Sequence, residues 1–169
     1  MTSPSLRTPE PADYTTLASW VQDAASCLRW AGPKLKFPFV PAQLPELLAL
    51  PGASCRVMSR GHAEALGFGQ FWLRESGAVH LGRIILAPGE RGQGLGKTLR
   101  ELLMAEARRT TGADTFTLRV YRDNLAAHAI YAGLGFVAVS GLSDEKVLSM
   151  RKRLSESAAL IRISNCAFP

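Results

Sequence analysis

The sequence predicts a mixed α/β chain: one layer of sheet with helices packed on it. Three observations predict it. Thr115–Tyr121 alternates strictly, with Phe116, Leu118 and Val120 on one face, as a half-buried strand does. Gly94–Arg109 instead repeats Leu95, Leu99, Leu102, Leu103 and Ala107 at helical steps, an apolar stripe along one side. Finally, 169 residues, 47% hydrophobic and 20% charged, suit a single domain with a true core and exclude a disordered chain.

The elements follow in order. Pro11-Ala12-Asp13-Tyr14 reads as a helix entry, and Leu17, Trp20, Val21, Ala24 and Leu28 extend it as one amphipathic helix. The Pro- and aromatic-rich passage Trp30–Phe39 is predicted to be irregular. A short helix over Ala42–Leu50 is closed by Pro51-Gly52. Strands are predicted at Ser54–Arg60 and Ala65–Arg74, joined through Gly61-His62, and at Ala78–Ala87 after the turn Glu75-Ser76-Gly77. Gly112 stops the Leu-rich helix. Beyond Thr115–Tyr121, Asn124–Leu134 reads as a short helix ended by Gly135. Phe136–Ser140 and Val147–Arg153 close the chain as two strands around Gly141–Lys146. One domain, 1–153, accounts for this pattern, and the tail 154–169 is either a packed helix or a loose end.

Composition narrows the function. Three cysteines (Cys27, Cys55, Cys166) form no CxxC pair, and His62, His80 and His128 are scattered, so no metal site is expected. Met1–Asp13 has no apolar signal-like stretch, and no apolar run approaches the roughly 18–20 residues of a membrane span, so a cytoplasmic protein is expected. The net charge of +6 favours anionic partners. Without an RNA-binding aromatic motif or a helix-turn-helix beside it, that charge does not predict a nucleic-acid partner.

The informative stretch is Ile84–Leu99. A strand ends, a tight turn follows, and Gly92, Gly94 and Gly96 alternate into a helix start. Glycines let a ligand approach the backbone, and the first-turn N–H groups carry partial positive charge, a cradle for phosphate that Arg91 and Lys97 reinforce. Two familiar phosphate loops fail. G-x-x-x-x-G-K-[ST] would need glycine where Arg91 stands, and G-x-G-x-x-G would need glycine where Lys97 stands.

Arg91-Gly-Gln-Gly-Leu-Gly96, between an apolar strand ending Leu-Ala-Pro and a Leu-rich helix, resembles the R/Q-x-x-G-x-G/A signature of the GCN5-related N-acetyltransferases. Tyr121-Arg-Asp-Asn124 through Ala127 and Tyr131 to Gly-Phe136 resembles that family's later motif. The resemblance covers roughly Leu6–Arg153. It implies a mostly antiparallel sheet of six to seven strands with about four helices. It also implies transfer of an acetyl group from acetyl-CoA to a primary amine of a small molecule or peptide, with no metal. A non-catalytic acyl-CoA sensor of the same fold is the alternative, and homodimers are common in the family.

The same resemblance implies the site. Arg91, Gly92, Gln93, Gly94, Leu95, Gly96, Lys97 and Thr98 would hold the coenzyme A pyrophosphate. Ile84, Ile85 and Leu86 would pair with the pantetheine arm where two central strands splay apart. Leu86 would offer an oxyanion N–H and Tyr131 a general acid. Asn124 and Ala127 would face the cofactor from the Tyr131 helix, although Asn124 equally reads as a plain N-cap and Tyr131 as a core residue. Where carboxylate-using members carry Glu, this sequence has His80, whose ordinary pKa suits neutral pH. Counting by twos puts it on the face of Ile84 and Leu86. A structural histidine and a water relay stay open as alternatives, with Glu75 and Asp123 as further bases. Trp30, Phe37 and Phe39 line the acceptor pocket or form an aromatic mini-core, and Arg83 touches substrate or packs under the sheet.

Overall fold

The computed structural model describes residues 2–75 and 77–155. Seven strands form one sheet: β1 (Ser5–Arg7), β2 (Ser54–Ser59), β3 (Gly67–Glu75), β4 (Ala78–Leu86), β5 (Thr115–Tyr121), β6 (Val137–Ala138) and β7 (Val147–Arg153). Their order is β1-β2-β3-β4-β5-β7-β6. Neighbours are antiparallel except β4 and β5, which run parallel and pair only from Ala78↔Thr115 to Leu81↔Leu118. Beyond Leu81 the two strands part. The expected mixed α/β sheet is therefore present, and the expected splay lies at its centre.

Five helices flank it: α1 (Pro11–Ser19), α2 (Ala24–Ala31), α3 (Leu44–Leu47, after a 3-10 turn at Pro41–Gln43), α4 (Leu95–Thr111) and α5 (Leu125–Gly133). The single first helix expected from the Leu17–Leu28 periodicity is two. Asp23 stops and restarts the chain, its Oδ1 accepting from the Ser26 N–H at 2.7 Å while the Ser26 hydroxyl takes the Asp23 N–H. Trp20 and Val21 stay buried across the break, which is why the apolar pattern ran through it. β1 was not expected. It is held by the bidentate ion pair of Arg7 with Asp13 (2.6 and 2.7 Å), and Asp13 also accepts the Glu10 N–H at the start of α1. The closing strand expected at Phe136–Ser140 shrinks to two residues because Ser140–Leu142 turns into a 3-10 helix.

The two faces of the sheet carry two cores. α4 and α5 cover one, where Leu99, Leu103, Phe116 and Leu118 are buried; α1, α2 and α3 cover the other, around Leu17, Leu44, Leu48 and Phe68. On β3, Gly69 brings α4 close: a Cβ there would collide with Leu103. At the far end, the Leu154 N–H donates to the Asp114 carbonyl at 2.7 Å; the remainder of the predicted tail, from residue 156, lies outside the described residues.

β4 is bulged. Gly82 pairs with Gln70 but Ile85 with Phe68, so β4 holds one residue more than β3 over this stretch, and Arg83 takes φ +52°. The extra residue corrects the parity expected for His80. Ile84 and Leu86 turn to the α4 side, whereas His80 lies with Trp72 on the other face of the sheet, and Ile85 packs with the α1–α3 core there.

Candidate active site

The turn at the end of β4 carries the glycine signature Arg91–Gly96. Gly92 and Gly94 sit at φ +77° and +79°, left-handed positions that side chains rarely adopt, and Gly94 caps α4. The Gln93 side chain donates to the Gly89 carbonyl at 2.9 Å and Arg91 to the Leu86 carbonyl at 3.3 Å, so the turn is braced by its own side chains. Among the described residues, no N–H from Arg91 to Gly96 donates to a protein acceptor, whereas those of Lys97 and Thr98 turn back to the Gly94 carbonyl. These amides are available to an anion.

Leu86 stands where β4 has left β5. Antiparallel pairing alternates. Because the Ala87 N–H goes to the Leu66 carbonyl on the β3 side (2.9 Å), the Leu86 N–H points to the opposite edge, into the gap.

That gap opens into a cleft of about 710 Å³ whose wall brings together Trp30, His80, Arg83, Ile84, Asn124, Ala127 and Tyr131. A second groove, about 420 Å³, runs from Arg91 and Ile85 past the α1–α2 break and shares Arg29, Trp30, Ile84 and Asn124 with the first. The two grooves adjoin at these shared residues, with Arg91 lining one and His80 the other. Phe37 and Phe39 are not part of either wall. They pack edge to face at 6.0 Å, and Phe39 lies against the α1–α3 core, which favours the mini-core alternative for that pair.

Each side chain is fixed by a partner. Asn124 is the N-cap of α5, its Oδ1 accepting from the Ala127 N–H at 3.2 Å, which leaves its amide NH₂ for the cleft. Tyr131 is 5% exposed, edge-on to Phe136 at 5.6 Å, with the Arg100 guanidinium 4.7 Å from its ring centre. The bulge turns the Arg83 carbonyl out of the sheet, and the Trp30 indole N–H donates to it at 2.8 Å. The Arg83 guanidinium donates to Gln70 (2.9 Å) and to the Leu48 carbonyl (2.8 Å), beneath the cleft floor. Asp123 is engaged by Arg29 at 2.8 Å.

His80 departs from its expected proton state. It is 6% exposed, its ring 4.8 Å from Trp72 and its Nδ1 2.9 Å from the Thr117 hydroxyl. Burial, and then the nearby charges of Arg74 and Arg119, push its pKa down to about 4, so it is neutral at physiological pH and a weak base. When Nδ1–H donates to Thr117, Nε2 keeps a free lone pair.

Three contributors escaped sequence reading. Thr117 and Arg119 occupy the polar alternate positions of β5, which read as a plain solvent face. Arg100, 9% exposed, interrupts the Leu stripe of α4 and donates to the Gly96 carbonyl at 2.7 Å. Its spacing of four from Gly96 was the available signal.

A sheet parted at its parallel pair, with unengaged amides at the mouth of the gap, is the plan of an enzyme that takes an acyl group from coenzyme A. The sequence model of the Acetyltransferase (GNAT) family matches residues 17–136. Spermidine N-acetyltransferase from Vibrio cholerae, solved with CoA and spermine, superposes with a TM-score of 0.76 at 18% identity over 92% of this chain and 98% of that one. An aminoglycoside acetyltransferase solved with coenzyme A gives 0.71 at 18% identity, over 96% and 100%. A domain from Methanocaldococcus jannaschii gives 0.73 at 11% identity, over 91% and 100%. The chain belongs to the GNAT acetyltransferase family and is an acetyl-CoA-dependent N-acetyltransferase. Among the described residues no cluster of three or more His, Cys, Asp or Glu could hold a metal ion, and no helix is long and apolar enough to cross a membrane.

Proposed function

We propose that the glycine turn, the gap beside β4 and the cleft at His80 and Tyr131 form one active site for direct acetyl transfer to a small amine. The N–H groups of Arg91–Gly96 bind the pyrophosphate, with the Arg91, Lys97 and Thr98 side chains at its edge. Ile84–Leu86 present strand backbone to the pantetheine amides, and Ala127 leaves room where Asn124 offers its amide. Acetyl-CoA supplies an activated thioester carbonyl. The Leu86 N–H donates to the oxygen on which negative charge grows. Tyr131 gives its phenolic proton to the departing thiolate.

His80 acts late in this scheme. Its low basicity unsuits it to strip a free ammonium, so the amine enters neutral, having lost that proton to water. As the new C–N bond forms, the nitrogen becomes far more acidic, and its proton passes through water in the cleft to Nε2 of His80. Nitrogen loses one proton, sulfur gains one, and solvent resets His80 and Tyr131. Trp30 and Arg83 shape the acceptor side.

The observation that carries this reading is the run of unengaged amides at Arg91–Gly96, in the turn that follows the parted end of β4. Thiol release from acetyl-CoA against a panel of amines tests it. Gly94→Asp, which sets a carboxylate against the pyrophosphate, is expected to abolish coenzyme A binding in calorimetry. Tyr131→Phe is expected to cut kcat about 100-fold with little change in coenzyme A affinity. Normal affinity in the first variant, or an unchanged rate in the second, overturns the assignment. Full coenzyme A affinity with no acceptor turned over would favour the sensor alternative.

A further inference from the structure

The cleft wall is cationic. Arg29, Lys34, Arg74, Arg83, Arg100 and Arg119 line it, and among the described residues no Asp or Glu does. Two of the six are answered from outside: Arg29 by Asp123 and Arg119 by Asp144, carboxylates that are 72% and 56% exposed. Arg83 and Arg100 donate to uncharged oxygens instead. Arg74 and Lys34 have no ion-pair partner among the described residues.

These charges are not all explained by the cofactor. His80 lies six residues before Leu86 on β4, about 20 Å along the strand at about 3.3 Å per residue. Arg74 and Arg119, on the strands either side, flank the ring at that distance from the phosphate-binding turn, and both act on its charge. A concave floor of one sign concentrates the opposite charge and repels its own. A polyamine such as the one the Vibrio cholerae enzyme acetylates would enter against that field.

Resting on the acetyltransferase reading, we infer that the acceptor is a small amine bearing an anionic group, a carboxylate or a phosphate, which the cationic wall of the cleft, Arg74 and Arg119 included, draws in and orients while the amine reaches the thioester. The anion then sets which amines are bound and how they are turned toward Tyr131.

Matched pairs of acceptors test this: lysine against cadaverine, phosphoethanolamine against ethanolamine, with spermidine as the polycation. The anionic member of at least one pair is expected to show about tenfold higher kcat/KM, an advantage that shrinks as salt rises. Which pair responds distinguishes carboxylate from phosphate. Arg74→Gln and Arg119→Gln are expected to raise KM about tenfold more for the anionic member than for its neutral counterpart, with coenzyme A affinity intact. Arg74→Glu should move the preference toward spermidine. Equal or better use of cadaverine, ethanolamine or spermidine by the unaltered protein overturns the inference, as do variants that weaken both members of a pair equally. If coenzyme A binds but nothing turns over, the same pairs are titrated into the coenzyme A complex, and equal affinities overturn it. Failure to bind coenzyme A at all brings down the acetyltransferase reading itself, and this inference with it.

Discussion

Protonating His80 inside the fold would set a third positive charge beside Arg74 and Arg119, where water scarcely reaches. The cost appears as pH-dependent stability. The unfolded chain binds a proton at this ring near the ordinary value of about 6.5, while the folded one waits until about 4. Stability is therefore complete above the unfolded value and falls as pH drops through the window, by about 1.4 kcal/mol per unit crossed at most. Below the folded value the loss stops. Thermal melts of the native protein between pH 7 and 4.5 are expected to show this slope, and His80→Gln to flatten it; parallel slopes would assign the acid sensitivity to other groups. The position of His80 on the cleft was legible from its place before the glycine turn. Its proton state was not, because Trp72 and Thr117, which bury and bond it, come from two other strands.

At the level of elements, the bulge in β4 decides what the cleft looks like. It places Arg83 and His80 on one face and sends Ile84 and Leu86 to the other, while its freed carbonyl is capped by Trp30 from α2. Trp30→Phe keeps an aromatic ring but leaves that carbonyl unpaired, a loss expected to cost about 1–3 kcal/mol. Urea unfolding reads it, and an unchanged midpoint would show the bond to be dispensable. Counting by twos along Ala78–Ala87 missed the bulge, although Gly82, alone within the strand, was a local sign of one. The break between α1 and α2 was missed for a related reason: the apolar period continues across Trp20 and Val21 while Asp23 restarts the helix. In contrast, Thr115–Tyr121 was read to the residue, since its alternation answers directly to a half-buried position in the sheet.

Over the whole molecule, the sequence carried the topology further than the chemistry. The glycine signature, the Leu stripe and the Asn124–Tyr131 motif are local, and they were enough for the fold and for the proposed cofactor side. The proposed acceptor side, the cleft wall, is assembled from α2, β3, β4 and β5 together, and its excess of positive charge cannot be seen in a net charge of +6 spread along the chain. The short parallel seam of β4 with β5, four residue pairs long, has one more consequence. It leaves the molecule as two half-sheets joined at one end, with the helices of the α4 side spanning the join. A pantetheine arm laid in the opening would act as a temporary eighth strand, knitting the halves together. Hydrogen–deuterium exchange at Ile84–Leu86 and Val120–Tyr121 should slow sharply when coenzyme A is added, and by much less with adenosine 3′,5′-bisphosphate, which has the anchor but lacks the thread.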